Sequence, residues 1–258
     1  ILTITLFARK LTQYRKKITY IKIFLTGIIF LWFGVFQSLQ IGTQKIYQSY
    51  NTFKLDNGMW DNILFEPIYI ILGTFIIITT PIWGRGIFCG WLCPFGTIQD
   101  LIHKISKALK FKSFEIPNYV HSKLIYLKYV ILGSIILSAI YTTGNNIFFE
   151  FEPFKTVIEY KFDRSIIFIL WSLAILSFVV FVERGFCRYL CPTGAALGLA
   201  SQFQVINWLT TVKSCGSESC NACLPKCPTK AIAKNGSINK KECIQCLSCQ
   251  IVYNDKKE

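Results

Sequence analysis

Residues 63–96 read ILFEPIYIILGTFIIITTPIWGRGIFCGWLCPFG. From Ile63 to Trp83 the only charge is Glu66, over a run long enough to cross about 30 Å of hydrocarbon with modest tilt. The run then breaks into Gly84-Arg85-Gly86 and a Cys-x3-Cys-Pro motif formed by Cys89, Cys93 and Pro94. Residues 165–194 repeat the plan, with an apolar segment, Arg184-Gly185, and then Cys187, Cys191 and Pro192. A Phe-Glu-Pro triplet stands before each copy, at 65–67 and 151–153, and reads as a helix start near the outer interface with Pro in the first turn. Each apolar helix therefore carries a cysteine pair to its far end, and the fold class follows from that pattern.

Working outward, two further segments near 18–42 and 124–143 are also almost free of charge, which makes four complete spans. Residues 1–8 read as the last turns of a helix that begins upstream, being too short to span by themselves. The chain is 52% hydrophobic and 16% charged, a balance too apolar for a soluble domain of 258 residues. Four buried helices of a soluble protein would need amphipathic cover that this sequence lacks. The expected fold is an all-α polytopic membrane protein with four complete transmembrane helices plus a truncated N-terminal one, followed by a small C-terminal α+β ferredoxin-like domain. Its expected divisions are 1–17, a helix end and basic loop; 18–212, the transmembrane domain; and 213–258, a two-cluster tail that reads as truncated.

Lysine and arginine set the orientation, because loops rich in them stay cytoplasmic. Arg9, Lys10, Arg15, Lys16 and Lys17 mark the first loop as inside, and Arg85, Lys104, Lys107, Lys110, Lys112 and Lys123 do the same for the loop after the second full span. The remaining connections mix their lysines with Asp56, Asp61, Glu66, Glu150, Glu152, Glu159 and Asp163, and are placed outside. Parity then returns everything from Glu183 onward to the reducing side of a bacterial inner membrane. Arg85, Arg184 and Arg188, beside the cysteines, are read as obeying the same charge rule rather than as partners of thiolates. The net charge of +14 does not indicate nucleic acid, since no reading motif accompanies it. Residues 98–112 read as a basic amphipathic helix lying on the membrane surface.

Eleven cysteines without a signal-peptide pattern point to metal ligation rather than disulfides, since most stand in Cys-x2-Cys, Cys-x3-Cys or Cys-Pro contexts. The tail carries Cys215, Cys220, Cys223 and Cys227-Pro228, then Cys243, Cys246 and Cys249. In two-cluster ferredoxins a close triplet wraps one cubane while the cysteine before proline reaches across to the other. Cys243, Cys246, Cys249 and Cys227 then complete one [4Fe–4S] cluster, and Cys215, Cys220 and Cys223 supply three ligands of a second whose fourth is expected beyond the quoted chain. A zinc ribbon is the bland alternative, but zinc draws two ligands from each knuckle and triplets suit it poorly. Cys89, Cys93, Cys187 and Cys191 form either one four-thiolate metal or iron–sulfur centre at the membrane boundary or two separate dithiols; spacing of four places each pair on one helical face, which the following Pro ends or kinks. His103 and His121 both lie outside the spans, so transmembrane haem is not expected. Neither a phosphate-binding glycine loop nor a nucleophile triad is visible, which leaves no substrate-converting site to assign.

Taken together, Cys-Gly-Trp-Leu-Cys-Pro-Phe-Gly at 89–96, Cys-Arg-Tyr-Leu-Cys-Pro-Thr-Gly-Ala at 187–195 and Glu-Cys-Ile-Gln-Cys-Leu-Ser-Cys-Gln at 242–250 resemble the NosR/NapH-type membrane polyferredoxins over about residues 20–258. The resemblance implies electron supply across the inner membrane towards a periplasmic reductase, nitrous oxide reductase in the NosR case, with quinone as a possible partner beside lipid and redox proteins. It also implies an FMN-binding periplasmic domain ahead of the helices in such proteins, to which no residue of this chain corresponds. Two other readings stay open: a metal-handling or assembly protein for a copper enzyme, motivated by the paired thiols, and a redox-sensing membrane regulator.

Overall fold

The computed structural model of the protein describes residues 15–38, 41–43, 67–114, 116–141, 152–206, 209, 223–233 and 235–254. The expected helix end at 1–8, most of the outer connections, the Phe-Glu pair at 65–66, Cys215 and Cys220 lie outside them. In chain order the helices are α1 (Arg15–Ile29), α2 (Pro67–Trp83), α3 (Pro94–Ala108), α4 (Asn118–Leu124), α5 (Leu127–Tyr141), α6 (Ile166–Phe181), α7 (Gly185–Tyr189), α8 (Pro192–Ala200) and α9 (Ser248–Asn254). Three π-helical stretches accompany them, Phe30–Phe36 continuing α1, Phe88–Leu92, and Lys155–Glu159.

Among the described residues two helices are long and apolar enough to cross a membrane, Ile18–Phe36 with 19 residues and Asn118–Tyr141 with 24. At 1.5 Å per residue they reach about 28 and 36 Å. The other two apolar segments run over 17 described residues in α2 and 16 in α6, about 25 Å each, and a left-handed turn follows each. Gly84 adopts φ +96° and its N–H bonds the Thr80 carbonyl at 2.8 Å, a left-handed stop. After α6 the chain becomes extended at Val182 and left-handed at Arg184. Pro81 lies inside α2, and the carbonyls of Pro81 and Ile82 accept N–H bonds from Val205 and Ile206, so the strand of chain after α8 completes that helix end. The outer faces carry exposed Ile71, Ile77, Val130 and Ile140, side chains that an apolar solvent tolerates in a belt and water does not.

The helix expected at 98–112 runs from Pro94 to Ala108, and the fixed φ of Pro94 suits the first helical position. It buries a stripe of Phe95, Gln99, His103 and Ser106 against protein, with the Ser106 hydroxyl donating to the Val180 carbonyl of α6 at 2.9 Å, while Lys104 and Ile105 face outward.

The core lies where the two repeats meet. Phe95, Phe154 and Phe186 form an edge-to-face triad with centroids 6.0, 5.4 and 6.4 Å apart, backed by Ile158 and Ile175. Of the triplet at 151–153, Glu152 and Pro153 are described: a helical turn starts at Pro153, and Phe154 reaches into the core beside the second cysteine motif. From there the chain returns along α6, with Ile158 packed on Ile175 and the Phe162 N–H bonded to the Thr156 carbonyl at 2.9 Å. In the tail, the described residues hold no strand. One antiparallel bridge pairs Ile232 with Ile238 and α9 closes the segment, so the expected α+β domain is mostly loop and turn among these residues.

Candidate functional site

Each repeat breaks its helix at the second cysteine. The residue before a proline is driven to extended backbone, and Cys93 and Cys191 adopt nearly the same angles, φ −73° ψ 112° and φ −72° ψ 110°. Proline does more than end one helix: in both copies it opens the next, with the cysteine as N-cap. The Cys93 sulfur accepts the Gly96 N–H at 3.4 Å and the Cys191 sulfur the Gly194 N–H at 3.2 Å, so the positive ends of α3 and α8 face sulfur. The first cysteines sit one turn earlier, Cys89 in the π-helical stretch and Cys187 in α7. The Gln99 amide donates to the Cys187 sulfur at 3.0 Å.

The structure brings the four together: Cys89, Cys93, Cys187 and Cys191 line one cavity, walled by Phe88, Phe95, Phe154 and Phe186. Burial pushes the Cys89 thiol up, and Cys187 to about 11 against the pull of Arg184. Burial also pushes Cys191 well up, reinforced by Cys187 and Cys89. Thiols so placed keep their protons unless a cation takes over the sulfurs, which is the chemistry of a thiolate metal site. The Thr193 hydroxyl is buried on the same cavity without a protein partner.

A second cavity gathers Cys227, Cys243, Cys246 and Cys249. Its sulfurs take backbone N–H bonds, from Ala231 to Cys227 at 3.2 Å and from Gln245 to Cys243 at 3.4 Å. Gln245 and Leu247 are left-handed, at φ 51° and 66°, a backbone state strained for side-chain-bearing residues and found where successive N–H groups form anion-binding concavities. Burial pushes Cys243 up to about 12 and raises Cys249. Cys223 is buried near the Cys249 carbonyl, 3.8 Å away, but does not line this cavity. Among the described residues no three Cys, His, Asp or Glu side chains converge as the ligands of one ion must. Four cysteine sulfurs on each cavity are the donor set by which a [4Fe–4S] cluster is held.

The arginines are not solvated charges. Arg85 and Arg184 are 2% and 1% exposed, and Arg188 is also buried. Each of the first two crosses into the opposite repeat. Arg184 donates to the Cys89 carbonyl at 2.8 Å and grips both oxygens of Asp100 at 2.6 Å. Burial alone would raise the Asp100 carboxyl, but Arg184 reverses this and holds it below the ordinary range. Arg85 donates to the Gly194 carbonyl at 2.9 Å, yet its carboxylate partner comes from the tail: Glu242 accepts through its carbonyl at 2.7 Å and its side chain at 3.5 Å. Glu242 also takes both its oxygens to Lys128, 2.7 and 2.6 Å from an ammonium that is fully buried.

The asymmetry has a readable cause. Asp100 stands seven residues past Cys93, and the residue seven past Cys191 is Gly198. A methyl on Gly198 would meet the Lys241 carbonyl at 2.9 Å and Arg85 at 3.6 Å, so the tail fills the place where the second copy lacks a carboxylate. Further bonds fix the same loop: Trp91 Nε1 to the Gln245 carbonyl at 3.2 Å, Lys22 to the Cys246 carbonyl at 3.1 Å, and the Gln245 amide to the Trp83 carbonyl. Sequence reasoning missed Glu242, Lys128 and Phe154. The exchange of Asp100 for Gly198 was the visible signal for the first.

Comparison with known proteins places a family on this geometry. A family described as 4Fe-4S binding domain matches residues 65–112 and 165–209, one segment on each repeat, and the NosR family matches 213–258. Protein NirI of Paracoccus denitrificans is 39% identical over 202 residues, 78% of this chain and 30% of its own. Regulatory protein NosR of Stutzerimonas stutzeri is 38% identical over 200 residues, 76% of this chain and 27% of its own. A Regulatory protein NosR sequence of Pseudomonas aeruginosa is 47% identical over 72 residues, 28% of this chain and 71% of its own. The chain thus spans less than a third of the length of the first two relatives. No solved structure matches it.

Proposed function

The chain belongs to the NosR/NapH-type 4Fe–4S proteins, and from that premise we propose that it carries single electrons between a cytoplasmic ferredoxin-like tail and a four-thiolate centre formed by its membrane repeats. The observation that carries this reading is that sulfurs from two motifs far apart in sequence line one phenylalanine-walled cavity. Cys89, Cys93, Cys187 and Cys191 would hold one 4Fe–4S cluster, and Cys227, Cys243, Cys246 and Cys249 another. Cys215, Cys220 and Cys223 would hold a third with a further ligand. Bound there, such clusters accept and release one electron at a time, at potentials set by charge, hydrogen bonds to sulfur and burial.

The chain's own residues tune those terms. N–H groups of Gly96, Gly194, Ala231 and Gln245 and the Gln99 amide stabilise thiolate sulfur. Arg85 and Arg184 supply fixed positive charge behind the repeat cavity, and the phenylalanines keep water from it. Four apolar helices would cross the inner membrane, with the lysine- and arginine-rich connections and the tail inside. By resemblance the electrons go to a periplasmic reductase, that of nitrous oxide in the first instance. A second reading, a redox-sensing regulator, draws on the printed name of the NosR relatives; it uses the same centres and differs in what reads their state.

Anaerobically prepared chain should hold about four iron and four sulfide per occupied cavity. Cys89→Ser and Cys187→Ser should each remove the same portion, and the double change no more than either. Additive losses, or zinc without sulfide, would overturn the shared centre.

A further inference from the structure

One residue separates the two thiol-lined cavities. Ile244 lines both of them and is 2% exposed. It follows Cys243 of the tail set directly, and its carbonyl oxygen lies against Gly90, the neighbour of Cys89 in the repeat set; a side chain at position 90 would collide with that oxygen. The corresponding residue of the second copy is Arg188, so only the first repeat admits such an approach. Both flanks of Ile244 are pinned to the helices: Glu242 by Lys128 and Arg85, and Gln245 by the Trp91 indole.

We propose that the Cys243–Ile244 segment seated on Gly90 is a direct electron-transfer junction between the two centres. The inference rests on the reading of both cavities as cluster sites. With clusters held by Cys89, Cys93, Cys187 and Cys191 and by Cys227, Cys243, Cys246 and Cys249, one electron would pass across this segment, oxidising one centre by one unit and reducing the other by one. No bond forms or breaks and no proton moves. The close approach requires glycine at position 90 because the tail backbone occupies the volume of a Cβ there.

The test is electron paramagnetic resonance on the whole chain, purified anaerobically in detergent and fully reduced with dithionite, with iron and sulfide measured on the same sample. The repeat-held signal, identified as the one that Cys187→Ser removes, should be split by its paramagnetic neighbour across Ile244. Gly90→Ala should push the segment away and narrow the splitting with iron content unchanged. Gly133→Ala, where the added methyl meets nothing within 4 Å, should leave the splitting intact. An unsplit repeat signal in the unmodified protein at full iron would overturn the junction alone, as would a splitting that Gly90→Ala leaves untouched. Absence of the repeat-held iron would overturn the junction together with the reading beneath it. Should Gly90→Ala fail to assemble, the unmodified spectrum decides by itself.

Discussion

The two repeats share their cysteine spacing, their proline-opened helices and their crossing arginines, yet they complete themselves differently. The arginine of the second copy finds its carboxylate within the repeats themselves, at Asp100. The arginine of the first copy finds none there, because Gly198 stands at the matching place, and takes Glu242 from the tail instead. The difference teaches how an internally repeated frame acquires a one-sided attachment: one vacancy in an otherwise paired scheme is enough to say where a third element docks.

Removing the tail's carboxylate should break this comparison most severely. Glu242→Gln leaves the fully buried Lys128 and Arg85 without a counter-charge, a kind of loss that costs about 3–5 kcal/mol. Hydrogen exchange at 227–249 should rise sharply while that of α6 stays slow. Uniform exchange along the whole chain would mean that the tail does not dock through this residue.

The opposite change sharpens the comparison. Gly198→Asp offers Arg85 a carboxylate of its own and crowds the Lys241 carbonyl, so it should displace Glu242 and loosen the tail by about 1–3 kcal/mol, the scale of overpacking. Limited proteolysis between Val205 and Cys223 would report it as faster release of the tail. No change in cleavage rate would show that Gly198 is not the vacancy.

Acid should strain the second repeat's pair. The Asp100 carboxyl is held below its unfolded value, so its stabilising share is complete above about pH 4 and is lost as pH falls through the lower folded value. Asp100→Asn should therefore cost about 1.5–3 kcal/mol near neutrality, the worth of a hydrogen bond to a charged group, and should flatten the acid limb of a thermal-stability profile. An unchanged acid limb would remove the pair from the account. The smallest effect belongs to Trp91→Phe, which deletes one bond to the Gln245 carbonyl and should cost about 0.5–1.5 kcal/mol, read as a modest rise in exchange of the same loop.

The cysteine sets were legible because spacing before proline is a local code. The cavities that they line were not, since nothing in spacing says how two copies face each other. Arg85 and Arg184 illustrate the limit: beside a membrane edge, composition favours solvated charge, and only the crossing of the copies turns them inward. The apolar runs at 63–83 and 165–182 stop just before the left-handed turns at Gly84 and Arg184, where glycine and arginine interrupt them, so those helix ends were legible. The place of Phe154 in the core was not legible. A Phe-Glu-Pro triplet marks where a helical turn begins, but not at what depth, and here it begins against the cysteine motifs. The tail's helix and bridge were too short to carry a period.

The reach of Arg85 also bears on the order of events at the ribosome. Arg85 and Glu242 are 157 residues apart, so at about 5–20 residues per second the second emerges about 8–30 s after the first. Throughout that interval the first repeat carries a guanidinium bound for a buried site but lacking its carboxylate, and Gly90 has no backbone lying across it. Seating of the tail is thus a closing event in biogenesis, the step at which Ile244 comes to lie across Gly90.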